Sequence, residues 1–105
     1  MEVKIKERSW FARLAAKNLG SQTMAAVLGR TVHLWNVSRE EFLSDPAWVM
    51  HELEHVRQFK HYGFLRFAVL YLLEHRRKGY VNNRFEIEAR EAEAGPADLD
   101  GVRFI

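Results

Sequence analysis

Cysteine is absent from the 105 residues. Disulfides and thiolate ligands are therefore excluded, and any bound metal must be held by His, Asp or Glu. The absence accords with a reducing cytosol, and a cytoplasmic location is the expectation. Long apolar runs are also missing. The longest, Phe67 to Leu73, is far short of the roughly 20 residues that span a bilayer. Met1 to Trp10 alternates charged and apolar residues, without the apolar centre of a signal peptide. No membrane partner is expected on these grounds. Nor is there a large excess of either charge: sixteen Lys and Arg face fourteen Asp and Glu, a net of +2. A surplus of two charges gives no nucleic-acid footprint, despite a pI near 9.2. Neither an internal repeat nor a low-complexity linker is present.

What the chain does have is enough apolar material, 48% of its residues, to bury one modest core. Its length suits one domain, residues 1–105, with 97–105 as a tail. Glu2 to Glu7 alternates polar and apolar residues, the period of a half-exposed strand. Trp10 to Leu19 has helical spacing, with Ser9 as cap and Gly20 as stop. Thr23 to Leu28 and Thr31 to Val37 read as a hairpin about Gly29-Arg30, and Ser38 to Leu43 as a short helical turn.

Asp45-Pro46 opens the central helix, because Asp suits the N-cap and Pro the first helical position. It should run to Tyr62 and stop at Gly63. Phe64 to Lys78 follows as a second helix, apolar nearly all round and so expected to be buried. Its final Arg76-Arg77-Lys78 suits a helix C-terminus. Asn83 caps a third helix, Arg84 to Ala94, which Gly95-Pro96 ends. Strands segregated from helices predict an α+β fold with a small antiparallel sheet.

Residues 51 to 55 read His-Glu-Leu-Glu-His. At 100° per residue, His51 and His55 lie about 40° apart on one helix face and can share one ion. Glu52, about 60° beyond His55, can reach a water on that ion without ligating it. The same half of the helix carries Trp48, Val49, Val56, Phe59 and Tyr62, so the histidines face the interior. Met50, Leu53, Glu54, Arg57 and Lys60 fall on the other half. An inward His pair beside a carboxylate needs partners, and a metal supplies them economically. Two satisfied core histidines are the bland alternative. A third ligand is offered by Asn83-Arg84-Phe85-Glu86-Ile87-Glu88-Ala89-Arg90, where either Glu86 or Glu88 flanks the packed face.

His51-Glu52-Leu53-Glu54-His55, followed by Glu86-Ile87-Glu88-Ala89, resembles the gluzincin metallopeptidases. It is also similar to the minimal gluzincins, single domains with a small sheet before the HExxH helix. The resemblance covers roughly residues 23 to 94. It implies a zincin-like helical core holding Zn2+ on His51, His55 and Glu86, with Glu52 as general base and a peptide or protein as substrate. It selects Glu86 over Glu88, with Ala89 as the small residue that lets the helices approach. It implies that the strand before the active-site helix, Thr31 to Val37 with His33 in it, pairs with extended substrate. Tyr80 and His75 are nearest to the place of the family's transition-state stabiliser. This chain departs from the pattern at Glu54 and Arg57. It also has Arg90 where an Asp usually orients a zinc-bound histidine.

The leading expectation is thus a zinc metallopeptidase-like domain. The alternative is a non-catalytic, zinc-stabilised domain serving protein interaction, and a third reading is a metal-free interaction module. Asp98, Asp100 or the terminal carboxylate could reach the metal from the tail and make the site latent. Otherwise Val102, Phe104 and Ile105 pack on the core or pair with a neighbouring chain.

Overall fold

The computed structural model describes all 105 residues. The order is β1 (Glu2–Lys6), α1 (Trp10–Leu19), β2 (Met24–Leu28), β3 (Thr31–Trp35), α2 (Arg39–Leu43), α3 (Pro46–Tyr62), α4 (Phe64–Lys78), α5 (Arg84–Ala94) and β4 (Arg103–Phe104). The class is α+β. The caps act where the residue types put them. The Ser9 side chain accepts from Ala12 N, Asp45 from Trp48 N and Asn83 from Phe85 N, while Ser38 and Glu41 form a capping box on α2.

The sheet is mixed rather than purely antiparallel, with strand order β2-β3-β1-β4. Only the β2–β3 hairpin is antiparallel; β1 pairs in parallel with β3 on one side and with β4 on the other. The connection from β1 to β3 runs through α1 and then the oppositely directed β2, whose hairpin return brings β3 alongside β1 in parallel. The tail ends in a short strand, which the sequence pattern does not predict. Arg103 and Phe104 pair with Glu2 and Val3.

Val32 and Leu34 of β3, with Val3 and Ala25, meet Val49, Met50, Leu53 and Val56 of α3 in the main core. Met50 and Leu53, expected on the outer half of α3, are therefore buried. The helix lies between the sheet on one side and α4 and α5 on the other, so its buried arc is wider than one face. A second core joins those helices through Phe59, Phe67 and Phe85. Truncating a buried phenylalanine there should cost about 3–5 kcal/mol.

Helix α4 is not buried as its composition suggested. Phe67 is its one buried residue, whereas Phe64, Leu65, Val69, Leu72 and Leu73 are exposed. In a domain of this size one stripe of α4 is enough to cover α3 and α5, and the rest of its apolar surface finds no partner.

Candidate metal centre

The HExxH segment lies in the middle of α3, where both flanks of the helix are packed. Opposite it, the first turn of α5 is positioned by Asn83, which is fully buried. Asn83 caps Phe85 N at 2.9 Å and donates to Tyr71 O at 3.2 Å, so the start of α5 is tied to α4. Glu86 then faces α3. Its Oε1 lies 3.1 Å from Nε2 of His51 and 3.1 Å from Nε2 of His55. Its Oε2 accepts the Tyr71 hydroxyl at 2.5 Å. His51, His55 and Glu86 form a group able to hold a metal ion, with one ligand atom from each, all within 4.8 Å of one another.

The hydrogen-bond chemistry of this donor set fits a cation. Gln58 Nε2 donates to Phe85 O and to Glu88 Oε1, so its Oε1 must be the atom 2.8 Å from His55 Nδ1. His55 Nδ1 therefore carries a proton. His51 Nδ1 likewise faces an acceptor, Glu93 Oε1, at 3.4 Å. A neutral imidazole has one N–H, so each Nε2 turns a lone pair toward Glu86 Oε1. A cation among the three relieves the repulsion. Ligand atoms about 2.0–2.1 Å from a tetrahedral zinc are roughly 3.3 Å apart, close to the 3.1 Å from Glu86 Oε1 to each histidine Nε2.

Without a cation, protons supply the missing charge. Burial alone would lower the His55 imidazole, but its hydrogen bond to Glu86 and the charges of Glu86 and Glu52 outweigh that and raise it to about 9. His51 is raised for the same reasons against its own burial. Burial would raise Glu86, yet the two histidines and Tyr71 hold it far below the usual carboxylate range. Glu52 behaves oppositely: burial outweighs His55 and His51 and pushes its carboxyl up to about 7. One carboxylate is held ionised between the histidines, and its neighbour is poised near neutrality.

Glu52 is 5% exposed as a residue; its carboxyl takes no hydrogen bond from the protein, and its oxygens are not sealed but reach open space. It lines a cavity of about 330 Å³. The four residues of that cavity that are not apolar or aromatic are His51, Glu52, His55 and Glu86. The walls come from α1, β2 and α4, and Tyr71 and Tyr80 bring the other hydroxyls. Burial, then the charges of Glu86 and Glu52, raise the Tyr80 phenol, so it stays a proton donor.

Among the residues singled out by sequence, His51, Glu52, His55, Glu86 and Tyr80 come together. His75 is exposed at the end of α4, away from the cavity. Glu88 is exposed as well and engaged by Gln58. Arg90 does not approach the histidines; its guanidinium donates to Val81 O, beside Tyr80. The partners of the histidine Nδ1 atoms are instead Gln58 for His55 and Glu93 for His51. Gln58 was within reach of a sequence argument, since it lies three residues after His55 on the same helix. Tyr71 was not, because nothing local links α4 to Glu86. Strand β3 lies between β2 and β1 and has no free edge for substrate. The free edge beside the site is that of β2, whose five consecutive residues all line the cavity. No residue of 97–105 lines it.

Comparison with protein-family models, curated proteins and solved structures found no match for the chain.

Proposed function

We propose that this domain is a zinc-dependent, metallopeptidase-like hydrolase of peptide bonds, with zinc held by His51, His55 and Glu86. The observation that carries the reading is Glu52, whose carboxyl opens onto the cavity beside the three ligand atoms and takes no hydrogen bond from the protein. Bound zinc acidifies water and polarises a carbonyl. Glu52 is the base that takes the proton of the attacking water and returns it to the departing amine. Gln58 and Glu93 keep the histidine protons on Nδ1, leaving Nε2 for the metal. Tyr80, which lines the cavity, is the candidate donor to the developing oxyanion. The outer edge of β2 supports an extended peptide by main-chain pairing.

A second reading, a non-catalytic zinc-stabilised domain, is favoured by the way Glu86 engages α3 through the histidines and α4 through Tyr71. One experiment separates the two. In Glu52→Gln, zinc content and folding should persist while turnover of a peptide library is lost, because an amide cannot accept the proton. Full zinc occupancy in the wild type without turnover of any peptide selects the second reading. Loss of zinc in Glu52→Gln rejects the base assignment.

A further inference from the structure

Twelve large apolar side chains are exposed, and eight of them belong to just two helices, α1 and α4. Trp10 and Leu14 stand on α1, and Leu65, Val69 and Leu73 on α4. Leu19 and Leu72 are at once exposed and part of the cavity wall. Both helices therefore carry exposed apolar surface that is continuous with the lining of one cavity.

Their charge is equally uneven. Together α1 and α4 carry six Lys and Arg and a single Glu, whereas the rest of the chain carries ten against thirteen acids. That one acid, Glu74, is engaged by Lys78 and by Arg84 N. Lys17, Arg76 and Arg77 are exposed and in no ion pair. Apolar side chains, a tryptophan among them, flanked by unpaired cations on otherwise acid-rich protein are the features that seat a helix in the headgroup layer of an anionic membrane. A patch of this kind on a folded monomer marks an interaction surface.

We propose that the α1–α4 rim docks this domain peripherally on an anionic lipid bilayer, with the mouth of the cavity toward the membrane. No helix is long and apolar enough to cross a membrane, so the contact is to its surface. The expectation of no membrane partner rested on the length of apolar runs, which says nothing about a basic apolar rim. A second copy of the chain is the competing occupant. Charge argues against it, because the two rims would bring like charges together.

The test is flotation of the full chain with vesicles of phosphatidylcholine and phosphatidylserine in a 3:1 ratio, and with phosphatidylcholine alone. It requires neither metal nor turnover, so it stands or falls apart from the peptidase reading. The wild type should float with the anionic vesicles and release at 1 M salt, where screening acts within about 3 Å. Arg76→Ser/Arg77→Ser should weaken binding about fivefold for each charge removed. Leu65→Glu/Val69→Glu should abolish it while keeping the wild-type circular dichroism, since both positions are exposed. Failure of the wild type to float, equal partition onto neutral vesicles, or unchanged binding of the charge variant overturns the proposal. So does a dimer in sedimentation equilibrium that Leu65→Glu/Val69→Glu converts to monomer, which would assign the rim to a second copy.

Discussion

Gln58 Oε1 lies 2.8 Å from His55 Nδ1, one helical turn further along α3. Because the amide nitrogen of Gln58 is committed to Phe85 O and Glu88 Oε1, this contact selects the histidine tautomer. It also joins α3 to α5 beside Glu86, the carboxylate of the candidate metal-binding group.

Gln58→Leu keeps the approximate volume but leaves the Nδ1 proton without an acceptor. Zinc affinity should fall roughly 10–100-fold, as for other partners that orient a ligand. The buried Phe85 carbonyl loses a donor as well, so stability should drop by about 1–3 kcal/mol. Chelator competition and thermal melts measure the two effects separately. Affinity within twofold of wild type would remove Gln58 from the site.

Glu86 and Glu88 give a sharper contrast. Glu86→Gln removes a charged ligand atom shared by both histidines, and its cost should exceed the roughly 10–100-fold expected for a supporting partner. Glu88→Gln alters an exposed carboxylate outside the group and should change affinity little. His51→Ala and His55→Ala should abolish stoichiometric binding, so that added zinc no longer raises Tm. The opposite ranking of the two glutamates, in metal content by mass spectrometry, would mean the third ligand is misassigned.

The helices were legible because their signals are local. Asp45-Pro46, Gly63 and Asn83 mark ends that the chain adopts, and the His51/His55 spacing places two rings together on any regular helix. Glu86 came from the resemblance, since periodicity left Glu88 equally open. What escaped was set by contacts distant in sequence. Parallel pairing of β1 with β3 leaves no mark on the alternation of either strand, so the sequence does not reveal that β3 is an interior strand and β2 an edge. An apolar helix composition does not say how much neighbouring surface exists to cover it, and α4 was misjudged on that account.

His33 is a structural group whose titration can be read on its own. Ser9 Oγ lies 2.7 Å from its Nδ1, and Phe11 packs edge-on at 5.3 Å. Burial, then the charges of Lys6 and Lys4, lower its pKa below the ordinary 6.5. For a histidine depressed in the folded state, the stabilising contribution is complete above the unfolded pKa. It is lost as pH falls through the folded one. The wild type should therefore lose stability below about pH 6.5. Part of that loss should be missing in His33→Gln, as read from the difference between their urea melts across pH. Parallel pH profiles for the two proteins would contradict the assignment.

The tail offers the clearest choice between a structural and an inhibitory role. Arg103 N donates to Met1 O and Ile105 N to Val3 O, while Ile5 N donates to Ile105 O. The Arg39 guanidinium holds Ile105 O at 3.0 Å and Phe104 O at 3.1 Å. Val102 and Phe104 pack against the main core from this edge. Deleting residues 97–105 leaves the outer edge of β1 unpaired and uncovers Val3, which is otherwise fully buried. From two half-buried apolar side chains and the lost ladder, the cost should be about 2–4 kcal/mol. Arg39→Ala, which removes only the clamp, should cost about 1 kcal/mol. Neither change should raise peptide hydrolysis, because β4 sits at the far edge of the sheet from β2 and no tail residue reaches the cavity. If the truncated protein stayed folded, kept its zinc and hydrolysed peptide faster than wild type, the tail would be an inhibitory segment and the strand assignment would not describe its role.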